Sequence, residues 1–307
     1  MLAGCQSYQP EPLDLAAHRE AWLARAPGDE PVRAFAERLA ESGQSGLFDL
    51  SDGLSLMEGE IVALVFNPDL RLARLRAGVA SATAEHAGLW PDPQVGVDFL
   101  SLIEGGSDPF VVTPGLSFTI PISGRLEAEK ARADAAAALE LTRVAEQEWQ
   151  TRIEVRRAWL RWSAARMKGE QTERLLGSIE SLVASTGRLA EAGEIVRTEA
   201  ALFTIERVSQ RQALLRFRGE AAEAEQELRA LLGLSPTAEV ELVPMVAVNT
   251  GADEMTPEAA VDRSLALAGL RDAYEVAEQT LRREVREQYP DLTLGPLAEF
   301  DRGETLL

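Results

Sequence analysis

Cysteine is nearly absent from this 307-residue chain: Cys5 stands alone, so no intramolecular disulfide can form. Histidine is as scarce, and His18 and His86 lie too far apart to present a recognisable zinc site. No run of about 18 apolar residues occurs, which excludes a membrane-spanning helix and with it a helical transporter. Gly-rich phosphate loops and nucleophile–His pairs are missing too, so the chain is not read as an enzyme. No catalytic residue, metal site or cofactor is assigned. Basic residues are outnumbered, 31 Lys+Arg against 50 Asp+Glu for a net charge of -19. That balance argues against nucleic acid, whose binding needs clustered Lys and Arg.

With 46% hydrophobic and 26% charged residues the composition is normal for a folding protein, while scarce aromatics, 6%, and long stretches dominated by Ala, Leu, Glu and Arg point to extended helices. Residues 6–54 read as a loosely ordered lead-in with one helix over Glu30–Glu41. Residues 54–66 carry Met57, Ile61, Leu64 and Val65 at helical spacing. Asn67-Pro68-Asp69-Leu70 then restarts the helix, Asn as N-cap and Pro at the first helical position. This second helix runs to about Leu89 and stops at Trp90-Pro91-Asp92-Pro93.

The period then changes to two. Val95, Val97 and Phe99 alternate with Gly96 and Asp98, and Leu116-Ser117-Phe118-Thr119-Ile120-Pro121-Ile122 alternates likewise. Between them Glu104-Gly105-Gly106-Ser107-Asp108-Pro109 signals a turn, which predicts a hairpin over residues 94–122. Strands of roughly 9–12 residues, when tilted, suffice to cross a bilayer core in a barrel.

Residues 124–187 contain no Pro and read as one helix of roughly 90 Å, far beyond the ordinary length and in need of a partner along it. The expected stripe is Ala145, Trp149, Ile153, Leu160, Met167, Leu176, Ile179, Val183 and Thr186. Trp149, Trp159 and Trp162 are taken as packing residues rather than a ligand cage. Glu191-Ala192-Gly193-Glu194 is a tight turn into a returning helix over residues 198–232, with a stripe of Leu202, Ile205, Val208, Gln212, Leu215 and Ala222. Gly233 and Pro236 end it. The pair is a long antiparallel helical hairpin.

A repeat near 200 residues is visible. Trp90-Pro91-Asp92 is echoed by Tyr289-Pro290-Asp291, each corner leading into a strand pattern, and Leu70 is matched with Leu270. Trp90 and Tyr289 are candidate interfacial anchors or structural corners. Residues 54–250 form the first copy, and residues 251–307 the start of a second that breaks off within its hairpin.

At the front, Leu2-Ala3-Gly4-Cys5 resembles the lipobox of a bacterial lipoprotein, with Cys5 as the acylated residue and residues 1–53 as a lipoprotein-like lead-in. Small residues suit the peptidase cleft and the thiolate takes the lipid. A leader is expected upstream, and Gln6 after the Cys favours outer-membrane sorting by resemblance.

The order helix, aromatic-Pro corner, hairpin, very long helix, tight turn, returning helix and second copy resembles the TolC-type outer-membrane factor (outer membrane efflux protein) family, lipoprotein branch. The residues carrying the likeness are Ala63-Leu64-Val65-Phe66-Asn67-Pro68-Asp69-Leu70, Pro121-Ile122-Ser123-Gly124-Arg125, Ala192-Gly193-Glu194-Ile195 and Leu231-Leu232-Gly233. It covers roughly residues 54–307. The resemblance implies a mainly α fold with a β-hairpin, the helical hairpin joining an α-barrel and the strands a transmembrane β-barrel shared by a homotrimer. It further implies the outer membrane of a Gram-negative bacterium, helices in the periplasm, and docking to a periplasmic adaptor and an inner-membrane pump of RND or similar type. Glu191, Gly193 and Glu194 are the candidate adaptor-contact tip. An acidic lumen would favour cations. Since the family's second long hairpin is absent before Leu307, the chain is expected to be truncated. Independently of the family, two strands cannot satisfy their edges in lipid, so subunits must share a barrel. The alternative is a periplasmic coiled-coil adaptor or scaffold lipoprotein without channel activity.

Overall fold

A computed structural model describes residues 10, 12–43, 48–101, 110–245, 256–296, 299–301 and 304–306. Cys5 and the turn at residues 104–109 lie outside them. The elements run α1 (Leu15–Leu23), α2 (Glu30–Glu41), α3 (Leu56–Phe66), α4 (Pro68–His86), β1 (Gln94–Ser101), β2 (Phe110–Ile120), α5 (Arg125–Glu191), α6 (Arg197–Leu231), α7 (Pro257–Arg263), α8 (Leu265–Glu287), β3 (Leu292–Leu294), β4 (Glu299–Asp301) and β5 (Glu304–Leu306). They form two compact units, one of residues 1–71 with 147–253, the other of 72–146 with 254–307. Each unit is discontinuous and cuts across the linear division read from the repeat. The 67-residue α5 runs through both and is about 100 Å long at 1.5 Å per residue.

In the first unit, α3 starts on a reciprocal cap: Ser55 accepts from the Glu58 backbone while the Glu58 carboxylate accepts from the Ser55 N–H at 2.8 Å. Its next turn meets α5 so closely that a Cβ on Gly59 would lie 2.5 Å from the Trp159 ring. Trp159 is fully buried, donates its indole N–H to the Val243 carbonyl at 3.0 Å, and meets Trp162 edge-on at 6.1 Å. Val32 and Ala36 of α2 join this core with Val62, Val155 and Leu228. Within the described part of the lead-in α2 packs into the core, and α1, which has no buried residue, is a second helix there.

The helices α5 and α6 are antiparallel, since Arg161 pairs with Glu227 and Arg218 with Glu173 at 2.7 Å. The buried face matches the expected stripes only in part: Leu176 and Ile179 of the α5 stripe are buried, as expected. On α5 it holds Thr151, Val155, Ala158, Trp162, Ala165 and Ile179, whereas Trp149 is exposed; on α6 it holds Leu214, Ala224 and Leu228. Leu202, Ile205, Val208 and Leu215 face outward. The buried face thus mixes small residues with large ones such as Trp162, Leu214 and Leu228, while other large apolar side chains stay exposed.

In the second unit α5 runs antiparallel to both α4 and α8. Lys130 donates to the Ala84 carbonyl at 2.6 Å, and Thr142 donates to Asp272 at 2.6 Å. The second helix break falls at Ser264, whose side chain accepts from the Leu267 N–H as Asn67 accepts from that of Leu70. The counterpart of Leu70 is therefore Leu267, not Leu270, and α8 has 23 residues against 19 in α4. The sheet places β2 between β1 and the strands of the second copy, β3 and β4, with β5 beyond β4.

Candidate functional site

Period-two patterning becomes geometry through the register. β1 opposes β2 with Val95 at Leu116, Val97 at Pro114 and Asp98 at Thr113; β3 opposes β2 with Leu294 at Phe118 and Leu292 at Ile120. Directly opposed residues share a face. One face therefore carries Val95, Val97, Pro114, Leu116, Phe118, Ile120, Leu292 and Leu294. The other carries Gln94, Gly96, Asp98, Thr113, Gly115, Ser117, Thr119 and Thr293. On this polar face the hydroxyls of Thr119 and Thr293 lie 3.4 Å apart. The apolar face is uncovered, with Val95 79% and Leu294 51% exposed. In a water-soluble fold the uncovered face would be the polar one. Here the apolar side is uncovered as well as the polar one, where Gln94, Asp98 and Thr293 are exposed, as in a strand set that turns its apolar side to lipid.

Trp90 and Tyr289 sit at the corners before β1 and β3, and their side chains are 65% and 60% exposed. Both stand free of the packed core. Behind the second corner, Asp291 accepts from Arg125 Nε at 2.7 Å. This contact joins two motifs that the sequence shows only as separate fragments, Tyr-Pro-Asp and Ser-Gly-Arg.

The tip of the helical hairpin is a Schellman turn. Gly193 has φ +77°, its N–H donates to the Ala190 carbonyl at 3.2 Å, and the Glu194 N–H donates to that of Leu189 at 2.9 Å. Glu191, Gly193 and Glu194 are all exposed, so the turn presents two carboxylates at one end of the hairpin. Leu189 and Val196 beside them are exposed as well. At the other end Asn67 is buried, its carboxamide donating to the Leu231 carbonyl at 2.9 Å and accepting from the N–H groups of Asp69 and Leu70. Two motifs 164 residues apart thus meet at one joint. Nearby, buried Glu60 accepts from Arg152 and Arg156, which holds the Arg156 guanidinium above its ordinary pKa. Among the described residues no group of three or more metal-ligating side chains occurs, and no helix is long and apolar enough to cross a membrane.

A second feature follows from the outward faces of the hairpin. Leu175, Leu182 and Leu189 on α5 recur every seven residues and are exposed, and Ile205, Val208 and Leu215 on α6 follow a three-and-seven spacing, also exposed. Sequence periodicity finds the α6 line but assigns it to the intramolecular contact. The α5 line was missed altogether, although its heptad was there to be found.

A family model described as outer membrane efflux protein matches residues 62–234, more than half of the chain. Among curated proteins nothing matches. Solved structures share the fold at low identity. The outer membrane protein VceC of Vibrio cholerae is 16% identical, with 82% of this chain and 66% of that one covered at a TM-score of 0.65. A membrane protein from Pseudomonas aeruginosa is 16% identical, covered 82% and 63% at 0.70. The open state of the MtrE outer membrane channel of Neisseria gonorrhoeae is 16% identical, covered 79% and 57% at 0.63. The chain spans 57–66% of the length of these three structures.

Proposed function

The chain belongs to the outer membrane efflux protein family, and on that footing we propose that it supplies one subunit of a homotrimeric exit duct in the outer membrane. The duct conducts passively. An inner-membrane pump of RND or similar type provides the energy and a periplasmic adaptor the connection. The observation that carries this reading is the sheet with one wholly apolar face, left uncovered, and one polar face. Such a sheet is costly in water and suited to a barrel with lipid outside and solvent within. Its open edges favour closure with sister subunits, and the outward heptad lines of α5 and α6 suit helix packing between subunits in the periplasm.

Cys5 is proposed as the lipidated residue. Fractionation of cells expressing the chain behind a full leader tests both statements. The expected result is recovery in the sarcosyl-insoluble outer membrane as an SDS-resistant oligomer that incorporates labelled palmitate, the label being lost in Cys5→Ser. Recovery as a soluble or inner-membrane protein would favour the adaptor or scaffold alternative and end the channel reading. Unchanged palmitate labelling in Cys5→Ser would end the lipidation.

Glu191, Gly193 and Glu194 are proposed to meet the adaptor. Reversing both charges, Glu191→Arg with Glu194→Arg, is expected to weaken adaptor binding roughly tenfold through lost charge complementarity, while the exposed turn keeps its fold. Co-purification with the adaptor measures this. Binding at wild-type strength would remove the tip from the interface.

A further inference from the structure

We infer that the ion pair between Arg125 and Asp291 sets the register in which the second-copy strand β3 joins β2. Such a device has work to do because the strand contacts of the second copy are few: β4 adds only one opposed pair, Val112 with Phe300. β3 has three residues and meets β2 at three opposed positions. A slip by one residue would turn Thr293 onto the apolar face and is excluded by the side-chain alternation. A slip by two is not: Pro114, Leu116, Phe118, Ile120 and Ile122 are all apolar, so Leu292 and Leu294 find equivalent neighbours either way. The backbone helps weakly. Leu116 N–H donates to the Pro296 carbonyl at 3.3 Å, a long bond that is lost if β3 moves so that Pro114, which has no N–H, comes opposite.

The ion pair discriminates strongly. Asp291 directly precedes β3, and Arg125 is the first residue of α5, five positions after β2 ends. A two-residue slip displaces β3 by about 7 Å, which no 2.7 Å contact between Arg125 and Asp291 survives. Among the described residues, the other carboxylate oxygen, Oδ1, is buried and accepts no hydrogen bond. In a slipped register both charges lose this partner, and the guanidinium and carboxylate forfeit a partly buried, charge-assisted hydrogen bond. Arg125 is itself fixed. Gly124 turns the chain with φ +71°, and the Arg125 N–H donates to Ser123 Oγ at 3.3 Å, so the backbone from which the guanidinium reaches is held at the start of α5. The first corner offers an internal contrast. Asp92 stands at the equivalent place before β1 and is exposed, while β1 makes eight opposed pairs with β2 and has register enough of its own.

This inference rests on geometry within one compact unit and is independent of whether the protein conducts. Engineered cysteine pairs in the full-length protein test it. Thr119→Cys with Thr293→Cys reports the native register, and Ser117→Cys with Thr293→Cys and Ile122→Cys with Leu292→Cys report the two slips; single-cysteine variants set the background. With Asp291 intact, only the first pair should cross-link in membranes under mild oxidant. In Asp291→Ala the ratio of native to slipped cross-link is expected to fall roughly tenfold, as for loss of one charge-assisted hydrogen bond. The exchange Arg125→Asp with Asp291→Arg should restore it, and Asp92→Ala should leave it unchanged. An unchanged ratio in Asp291→Ala overturns the inference. So does an Asp291→Ala protein that fails to accumulate and is not rescued by the exchanged pair, because the carboxylate would then be serving some purpose other than its partnership with Arg125.

Discussion

Gly233→Ala is expected to remove nearly all folded subunit from the membrane. Gly233 has φ +68°, where an L side chain already costs about 1–2 kcal/mol. The larger effect is steric: a Cβ there would lie 2.1 Å from the Phe66 carbonyl oxygen and 2.5 Å from its carbon. Those atoms are backbone at the end of α3 and cannot swing aside. The surrounding contacts all depend on this approach. Asn67 bonds to Leu231, the Arg25 guanidinium donates to the Gly233 carbonyl at 3.1 Å, and the same guanidinium lies 5.2 Å from the Phe66 ring centre. Strain and overpacking together should exceed about 4 kcal/mol, a large part of the stability of an ordinary domain. Gly193→Ala is the control. It has the same kind of backbone at φ +77°, but nothing lies within 4 Å of its added Cβ, so about 1 kcal/mol is expected. Immunoblots of membrane fractions and melting of purified protein separate the two. If Gly233→Ala accumulates and melts like the parent, the joint between α3 and α6 is not the structural knot described above.

This joint was half legible in the sequence. Asn67-Pro68-Asp69 announces a helix restart and Leu232-Gly233 a helix end, because caps and left-handed glycines leave local signatures. That the two ends touch is a tertiary fact with no local signal. The opposite holds for the long hairpin. Its existence and turn were plain from an uninterrupted helical stretch and Gly193, and α5 extends the expected helix to Glu191. Its inner face is read correctly at Leu176 and Ile179 but wrongly at Trp149 and along α6, since periodicity reports the most apolar line on a helix whatever that line packs against. Several of the buried residues on these helices, Thr151, Ala158, Ala165 and Ala224, are too small to dominate a periodic pattern. The apolar residues Ile205, Val208 and Leu215 lie outside the buried face. For the strands alternation was read correctly, but which face meets solvent depends on the neighbours. α1 was missed for want of any buried side chain, and the Arg125–Asp291 contact because its two halves lie 166 residues apart.

The second large effect separates the two faces of the sheet. Val97→Arg should prevent stable insertion, whereas Thr113→Arg, on an adjacent strand but the other face, should assemble. An arginine on the lipid side of a barrel strand costs about 2–4 kcal/mol near the bilayer midplane, and threefold symmetry would impose that cost three times in one assembly. Val97 opposes Pro114, which offers no charge and no N–H to soften the penalty. Thr113 opposes Asp98, so an arginine there gains an opposite charge directly across the strands, worth a few tenths of a kcal/mol to about 1 kcal/mol. The native sequence already tolerates the Asp98 carboxylate beside Val97, a one-residue distance that separates lipid from lumen in a barrel strand. Heat-modifiability on gels and single-channel recording give the readout. Val97→Arg should yield no SDS-resistant oligomer and no conductance, and Thr113→Arg an oligomer whose preference for cations is reduced by the added positive charge. The reverse outcome, with Thr113→Arg excluded and Val97→Arg inserted, would place the polar face against lipid and leave the outer-membrane duct without its physical basis.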